Sequence, residues 1–258
     1  MKTLIDFLQQ LAKNNNKEWF DAHKEEYQAA KKVFDGFAMD FMRGVELFDP
    51  RVHGLQLRDI TYRIYRDLRF TQDKRPYKTW MGVYVCPKGK KSGMAGYYIH
   101  IEPDTNTYFL AAGLYNPEKV VVKSVREEIM LEGEHFNEAL EKCKDFTLPW
   151  DEALKKVPKD YDEKDKYSDY YRLKTYTLLK PVTKRQITAK GFLKEALADL
   201  ERCHDYNEIL NCCYDYAYDE NHELYNTPDF SDQCISQTKK ISNFAHKWEK
   251  RQDVSTRP

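Results

Sequence analysis

Thr79 to Gly113 read TWMGVYVCPKGKKSGMAGYYIHIEPDTNTYFLAAG, and this stretch decides the fold. Met81, Val83 and Val85 alternate with Trp80, Gly82 and Tyr84, so Thr79–Cys86 is expected to be a strand. Pro87 to Gly96 is glycine-containing and basic, and reads as an exposed loop. Tyr97, Ile99 and Ile101 then alternate with Tyr98 and His100, predicting another strand to Glu102. Pro103-Asp104-Thr105-Asn106 is a turn, and Thr107–Gly113 returns as a strand. Upstream, Ile60, Tyr62 and Ile64 share the same two-residue period, with Arg63 and Tyr65 on the opposite face. Short connections make successive strands antiparallel. The expectation is therefore an antiparallel meander of about four or more strands, roughly residues 58–114. Large side chains on both strand faces require helices over at least part of one side.

Helices flank this sheet on the sequence. Leu4, Phe7, Leu8 and Leu11 repeat at helical spacing, and Asn16 can cap a second helix. Phe20, Tyr27, Phe34, Phe37, Phe41 and Val45 mark one face of a long helix that Asp49-Pro50 stops. Asn116-Pro117-Glu118 starts another, through Val121, Val125 and Ile129 to about Gly133, with a shorter helix from Glu134 to Cys143. Residues 151–171 are dense in charge and read as a solvated excursion. Thr188 to Leu200 is helical again. The fold class is α+β, with the sheet packed against N-terminal and C-terminal helices. The division expected is one α+β domain over 1–204 and a C-terminal extension over 205–258. The extension carries an amphipathic helix near 235–250, marked by Ile241, Phe244, Ala245 and Trp248, and a frayed end.

Composition limits the function. The 258 residues carry 42 Lys plus Arg against 42 Asp plus Glu, with 19 Tyr and 13 Phe, so global charge favours neither nucleic acid nor membrane. No apolar run approaches the ~20 residues that span a bilayer, and the N-terminus reads as a helix rather than a signal peptide. Six cysteines without a CxxC pair suit reduced thiols in a cytoplasmic protein. Cys203-His204 and Cys212-Cys213 lack zinc-site spacing, and neither a metal nor a cofactor is predicted. No Gly-rich phosphate loop, HExxH or GxSxG motif is present.

Charge is instead local. Tyr62 to Lys78, YRIYRDLRFTQDKRPYK, holds Arg63, Arg66, Arg69, Lys74, Arg75 and Lys78 against Asp67 and Asp73. Pro76 keeps Arg75 extended, so Arg69 to Pro76 must be a structured turn. Guanidinium forks and lysines at a strand end suit a phosphate or carboxylate. The candidate ligand-binding residues are Arg63, Arg66, Asp67, Arg69, Asp73, Lys74, Tyr77, Lys78 and His100. The competing structural reading is a salt-bridged loop in which the two acids hold the surrounding cations.

Residues 66–78, RDLRFTQDKRPYK, resemble the signature of the domain of unknown function 2461 family, a pattern close to RDxRFSxDKxPYK, with Thr71 in place of the commoner Ser. NNNKEWF (Asn14 to Phe20), YYIHI (Tyr97 to Ile101), the Gly113 to Pro117 turn and VREEI (Val125 to Ile129) are also similar to the family. The resemblance covers roughly residues 3–200. It implies an α+β fold and a common site, and it brings no established activity. The leading functional expectation is a site for an anionic small molecule, which leaves open whether the protein is an enzyme. A protein-interaction domain comes second, and a nucleic-acid-binding module using Lys88, Lys90 and Lys91 third.

Overall fold

The computed structural model describes residues 1–69 and 73–218. Helix α1 (Lys2–Lys13) buries Leu4, Ile5, Phe7, Leu8 and Leu11. Asn16 caps α2 (Lys17–Ala22), its side chain accepting the Trp19 N–H at 2.9 Å. The long helix expected from Phe20 onward is broken once, at His23. Both the His23 N–H and its ring Nδ1 reach the Trp19 carbonyl, at 3.1 and 2.8 Å, and the imidazole stacks on the Trp19 indole. These contacts close α2, and α3 (Lys24–Glu46) starts afresh with Phe34, Phe41 and Val45 buried.

The first expected strand does not form. Leu57–Ile60 is a single helical turn, α4, held by a capping box between Gln56 and Asp59. Beyond it the chain is extended but makes only isolated bridges, Thr61 to Val83 and Tyr65 to Tyr77. Alternating side chains are a property of any extended chain, so the period alone could not distinguish a strand from a single-bridge segment. Strands β1 (Met81–Val85), β2 (Gly96–Glu102) and β3 (Thr107–Leu114) form the meander as expected. The fourth strand is β4 (Tyr176–Pro181), which joins β3 antiparallel from beyond helix α5 (Lys119–Lys142). Gly113, at φ +104°, lets the two backbones meet there, since a Cβ would run into the Tyr176 carbonyl. The result is an α+β fold with one antiparallel sheet, ordered β1-β2-β3-β4.

Cross-strand partners share a face, so the register sorts the side chains. Val83, Ile99 and Leu110 point one way, as do Val85, Tyr97, Ala112 and Leu178. This face is buried, and α1, α3 and α7 (Phe192–Glu201) pack against strands of the sheet. Between β4 and α7 lies the short α6 (Lys184–Thr188). The other face carries Tyr84, Tyr98, His100, Phe109, Thr177 and Leu179.

Two further expectations change in detail. α5 has non-helical backbone at Glu132, immediately before Gly133, so the break falls where glycine suggested it. Residues 151–171 are not merely solvated. Tyr171 is fully buried, Leu154 N–H bonds the Arg172 carbonyl, and the Tyr167 ring fills the space left by the missing side chain of Gly133.

The compact body is Met1–Tyr214. Helix α8 (His204–Ala217), most of which belongs to it, begins at the division expected at 204. Buried Asn211 accepts the Ala95 N–H at 2.8 Å and donates to the Ala95 carbonyl at 3.2 Å, while Asn207 donates to Gly96. The amphipathic helix expected near 235–250 lies outside the described residues. Asn211→Ala strands two buried backbone groups and is expected to cost roughly 2–4 kcal/mol in urea unfolding. Asn14→Ala, which loses one exposed contact to Gln10, is expected to stay near wild type.

Candidate functional site

The arginine-rich stretch forms a closed loop whose ends are paired. Arg66 N–H bonds the Pro76 carbonyl and Lys78 N–H the Ile64 carbonyl, at 2.9 and 2.8 Å. Its base is docked on the N-terminus. Asn15 accepts the Tyr77 N–H and donates to the Tyr77 carbonyl, as a neighbouring strand would, and the Tyr77 ring stacks on Phe20 at 4.0 Å. The charges then largely satisfy one another. Asp73 takes Arg75 at 2.9 Å and also Arg66, and Asp67 takes Arg69 at 2.6 Å. The Arg75 hydrogen bonds, then that of Arg66, hold Asp73 well below the usual carboxylate range, and the Arg69 hydrogen bonds do the same for Asp67. Arg75 also approaches Asp104 at 3.7 Å, and Lys74 donates to the Leu68 carbonyl at 3.3 Å. Arg63 is exposed.

A concavity lies elsewhere, over the second face of the sheet. It has a volume of about 640 Å³, and its floor is Tyr84, Tyr98, His100, Phe109, Thr177 and Leu179. The β1 side is walled by Tyr62, Trp80 and Lys90, and the β4 side by Pro149 and Glu152. Tyr115, 81% exposed, stands at the rim. Volume and lining, mostly aromatic and apolar with a few polar groups, are those of small-molecule pockets. Lys78 sits over the Trp80 ring at 4.9 Å and the Tyr62 ring at 5.6 Å, donating to the Arg63 carbonyl. Lys90 lies 5.7 Å from the Tyr62 ring centre and bonds the Arg58 carbonyl. Burial lowers the pKa of both lysines.

A hydrogen-bonded line runs along the floor. Tyr98, His100 and Glu102 are alternate residues of β2, so the strand places all three on one face. The Tyr98 hydroxyl is 2.8 Å from His100 Nδ1, and His100 Nε2 is 3.2 Å from Glu102 Oε2. A carboxylate only accepts, which assigns the proton to Nε2 and makes Tyr98 the donor to Nδ1. Burial lowers the His100 pKa against the opposing pull of Glu102, and burial raises that of Tyr98. Both groups are therefore neutral near pH 7. The imidazole is held flat on Phe109, ring centres 4.7 Å apart, with Trp80 at 5.4 Å. Gly82 makes the arrangement possible. A side chain there would occupy the space of the Tyr98 hydroxyl.

Of the nine residues singled out from sequence, His100 lines this cavity, and Lys78 touches two of its wall rings from behind. Arg66, Asp67, Arg69, Asp73, Lys74 and Tyr77 belong to the loop, where the acids bind the arginines and Tyr77 is buried at the docked base. Glu102, the partner of His100, was not among the residues singled out from sequence. The signal was present in Tyr98-x-His100-x-Glu102, an alternation that one strand face must bring together.

The fold and site define an α+β protein with a pocketed sheet face. A family model described as Conserved hypothetical protein (DUF2461) matches residues 3–208, and the chain belongs to that family. No curated protein and no solved structure matches it.

His100 has a stability signature. A histidine with a lowered folded pKa binds fewer protons folded than unfolded, so stability is lost as pH falls through its ordinary value of about 6.5. The melting temperature is expected to drop between pH 7.5 and 5.5. His100→Gln is expected to flatten that drop in a thermal scan series.

Proposed function

We propose that the protein binds a small organic molecule with an aromatic or apolar body in the cavity over β1–β4, and that the Tyr98 oxygen takes a proton from it while the Tyr98 O–H proton passes to His100 Nδ1, or the reverse. The observation carrying this reading is a large aromatic pocket with a neutral Tyr98–His100–Glu102 line on its floor. Tyr98 is a phenol that burial keeps protonated, and His100 is its proton acceptor, with Glu102 orienting the ring and able to stabilise imidazolium. That is the layout of a general acid–base group, without a nucleophile among its members. An acidic group on the ligand suits the Lys90 end of the cavity, beside the Tyr62 ring.

The Arg66–Lys78 loop is the less favoured anion site. Any ligand there must compete with Asp67 and Asp73 for the same guanidinium groups. Its role in this reading is to hold Lys78 against the cavity wall. Among the described residues, no particular contact favours a protein-interaction or nucleic-acid module.

Titration with 2-naphthoate, followed by thermal shift and calorimetry, separates the sites. Ala111 lines the cavity as the cross-strand partner of Tyr98; wild type is expected to bind, and Ala111→Phe, which fills the floor, to abolish binding. Lys90→Gln is expected to weaken it about tenfold, the scale of one charged hydrogen bond. Arg66→Ala with Arg69→Ala is expected to leave it unchanged. Loss with the arginine pair but retention in Ala111→Phe would move the site to the loop and overturn the cavity.

A further inference from the structure

Behind the sheet, on the side away from the cavity, Asp49, His204 and Glu208 each bring one ligand atom within 4.8 Å of the others. Asp49 follows α3, whereas His204 and Glu208 lie one turn apart at the start of α8. Asp49 is the unusual member. It is 1% exposed, and no lysine or arginine side chain among the described residues pairs with it. Its carboxylate accepts the Arg51 N–H at 3.2 Å and lies beside the Tyr97 hydroxyl. A buried carboxylate ordinarily has a cation or a metal beside it, because leaving water costs more than a backbone hydrogen bond and a phenol return. Here a second carboxylate, Glu208, is close by. Its cation, Arg51, stands 3.6 Å away, at the loose end of an ion pair. The site thus brings a buried and a partly exposed carboxylate together beside an imidazole.

Tyr97 supplies the outer support. Its hydroxyl is 3.1 Å from His204 Nδ1 and lies against the Asp49 carboxylate, so it touches two of the three residues. A neighbouring hydrogen-bonding group that orients the imidazole is also what metal-binding histidines use.

We infer that Asp49, His204 and Glu208 bind a divalent first-row ion, Zn²⁺ foremost. One imidazole and two carboxylates make a mixed nitrogen–oxygen set with positions left over for water. This set suits Zn²⁺ better than Mg²⁺ or Ca²⁺, which prefer all-oxygen shells. The ion neutralises the two acids and ties the end of α3 to the start of α8, so binding is coupled to stability. The spacing of Cys203-His204 concealed this, because the partners of His204 are an acid four residues on and another 155 positions earlier.

The test uses the full-length chain stripped with EDTA and titrated with ZnCl₂, MnCl₂ or MgCl₂ by calorimetry and thermal shift. Expected are one Zn²⁺ per chain, a raised melting temperature, and far weaker Mg²⁺ binding. Glu208→Gln and His204→Gln are each expected to weaken Zn²⁺ at least about tenfold. Cys212→Ser, which removes a partly exposed thiol able to hold zinc fortuitously, is expected to leave it unchanged. Glu208 is partly exposed, so its variant keeps the test valid if His204→Gln fails to fold. No Zn²⁺ bound, or binding unaffected by both Glu208→Gln and His204→Gln, overturns the assignment.

Discussion

Along β2, neighbouring side chains must leave on opposite faces, and the remaining architecture follows from that constraint. Tyr97, Ile99 and Ile101 are buried against the helices, while Tyr98, His100 and Glu102 line up on the other side. Each buried aliphatic residue contributes about 1.5–3 kcal/mol relative to exposure. A one-residue slip would turn Ile99 and Ile101 outward and Tyr98, His100 and Glu102 into the helix layer. The burial that sets the register therefore also assembles the hydrogen-bonded line. The cavity needs no separate folding determinant beyond room for its side chains, and Gly82 provides that room under Tyr98.

The arginine loop is held by different forces. Its ion pairs are largely exposed and screened by solvent, so they order side chains more than they stabilise the fold. What docks the loop is the two-way hydrogen bond from Asn15 to the Tyr77 backbone and the stack of Tyr77 on Phe20. Two stretches that carry the family resemblance, Asn14 to Phe20 and Arg66 to Lys78, are thus one structural unit. The dense charge that draws attention in the sequence lies beside the pocket, and Lys78 connects the two by lying over Trp80 and Tyr62.

Most of the meander and several caps and breaks were legible because they are local. Asn16 capping α2, the stop at Asp49-Pro50 and the break before Gly133 each depend on a few adjacent residues. Expectations failed where a local pattern was compatible with more than one environment. Ile60, Tyr62 and Ile64 alternate as a strand would, yet Asp59 closes a helical turn and the rest finds no continuous ladder. Residues 151–171 look solvated by charge, although Tyr171 and Tyr167 pack inward. Tyr176–Pro181 was passed over, and it completes the sheet.

By itself the sequence determined the α+β class, three strands with their facing, most helix limits and the family, since periodicity and capping are written within a few residues. It also placed Tyr98 and His100 on one outward face. Only the tertiary structure decided that this face would be a cavity rather than a second core, because that depends on what β4, Pro149 and Trp80 leave uncovered. It alone set Asp67 and Asp73 on their arginines and Asp49 beside His204. Charge and polarity state what a side chain needs. Which partner meets that need is settled by chain segments that only folding brings together.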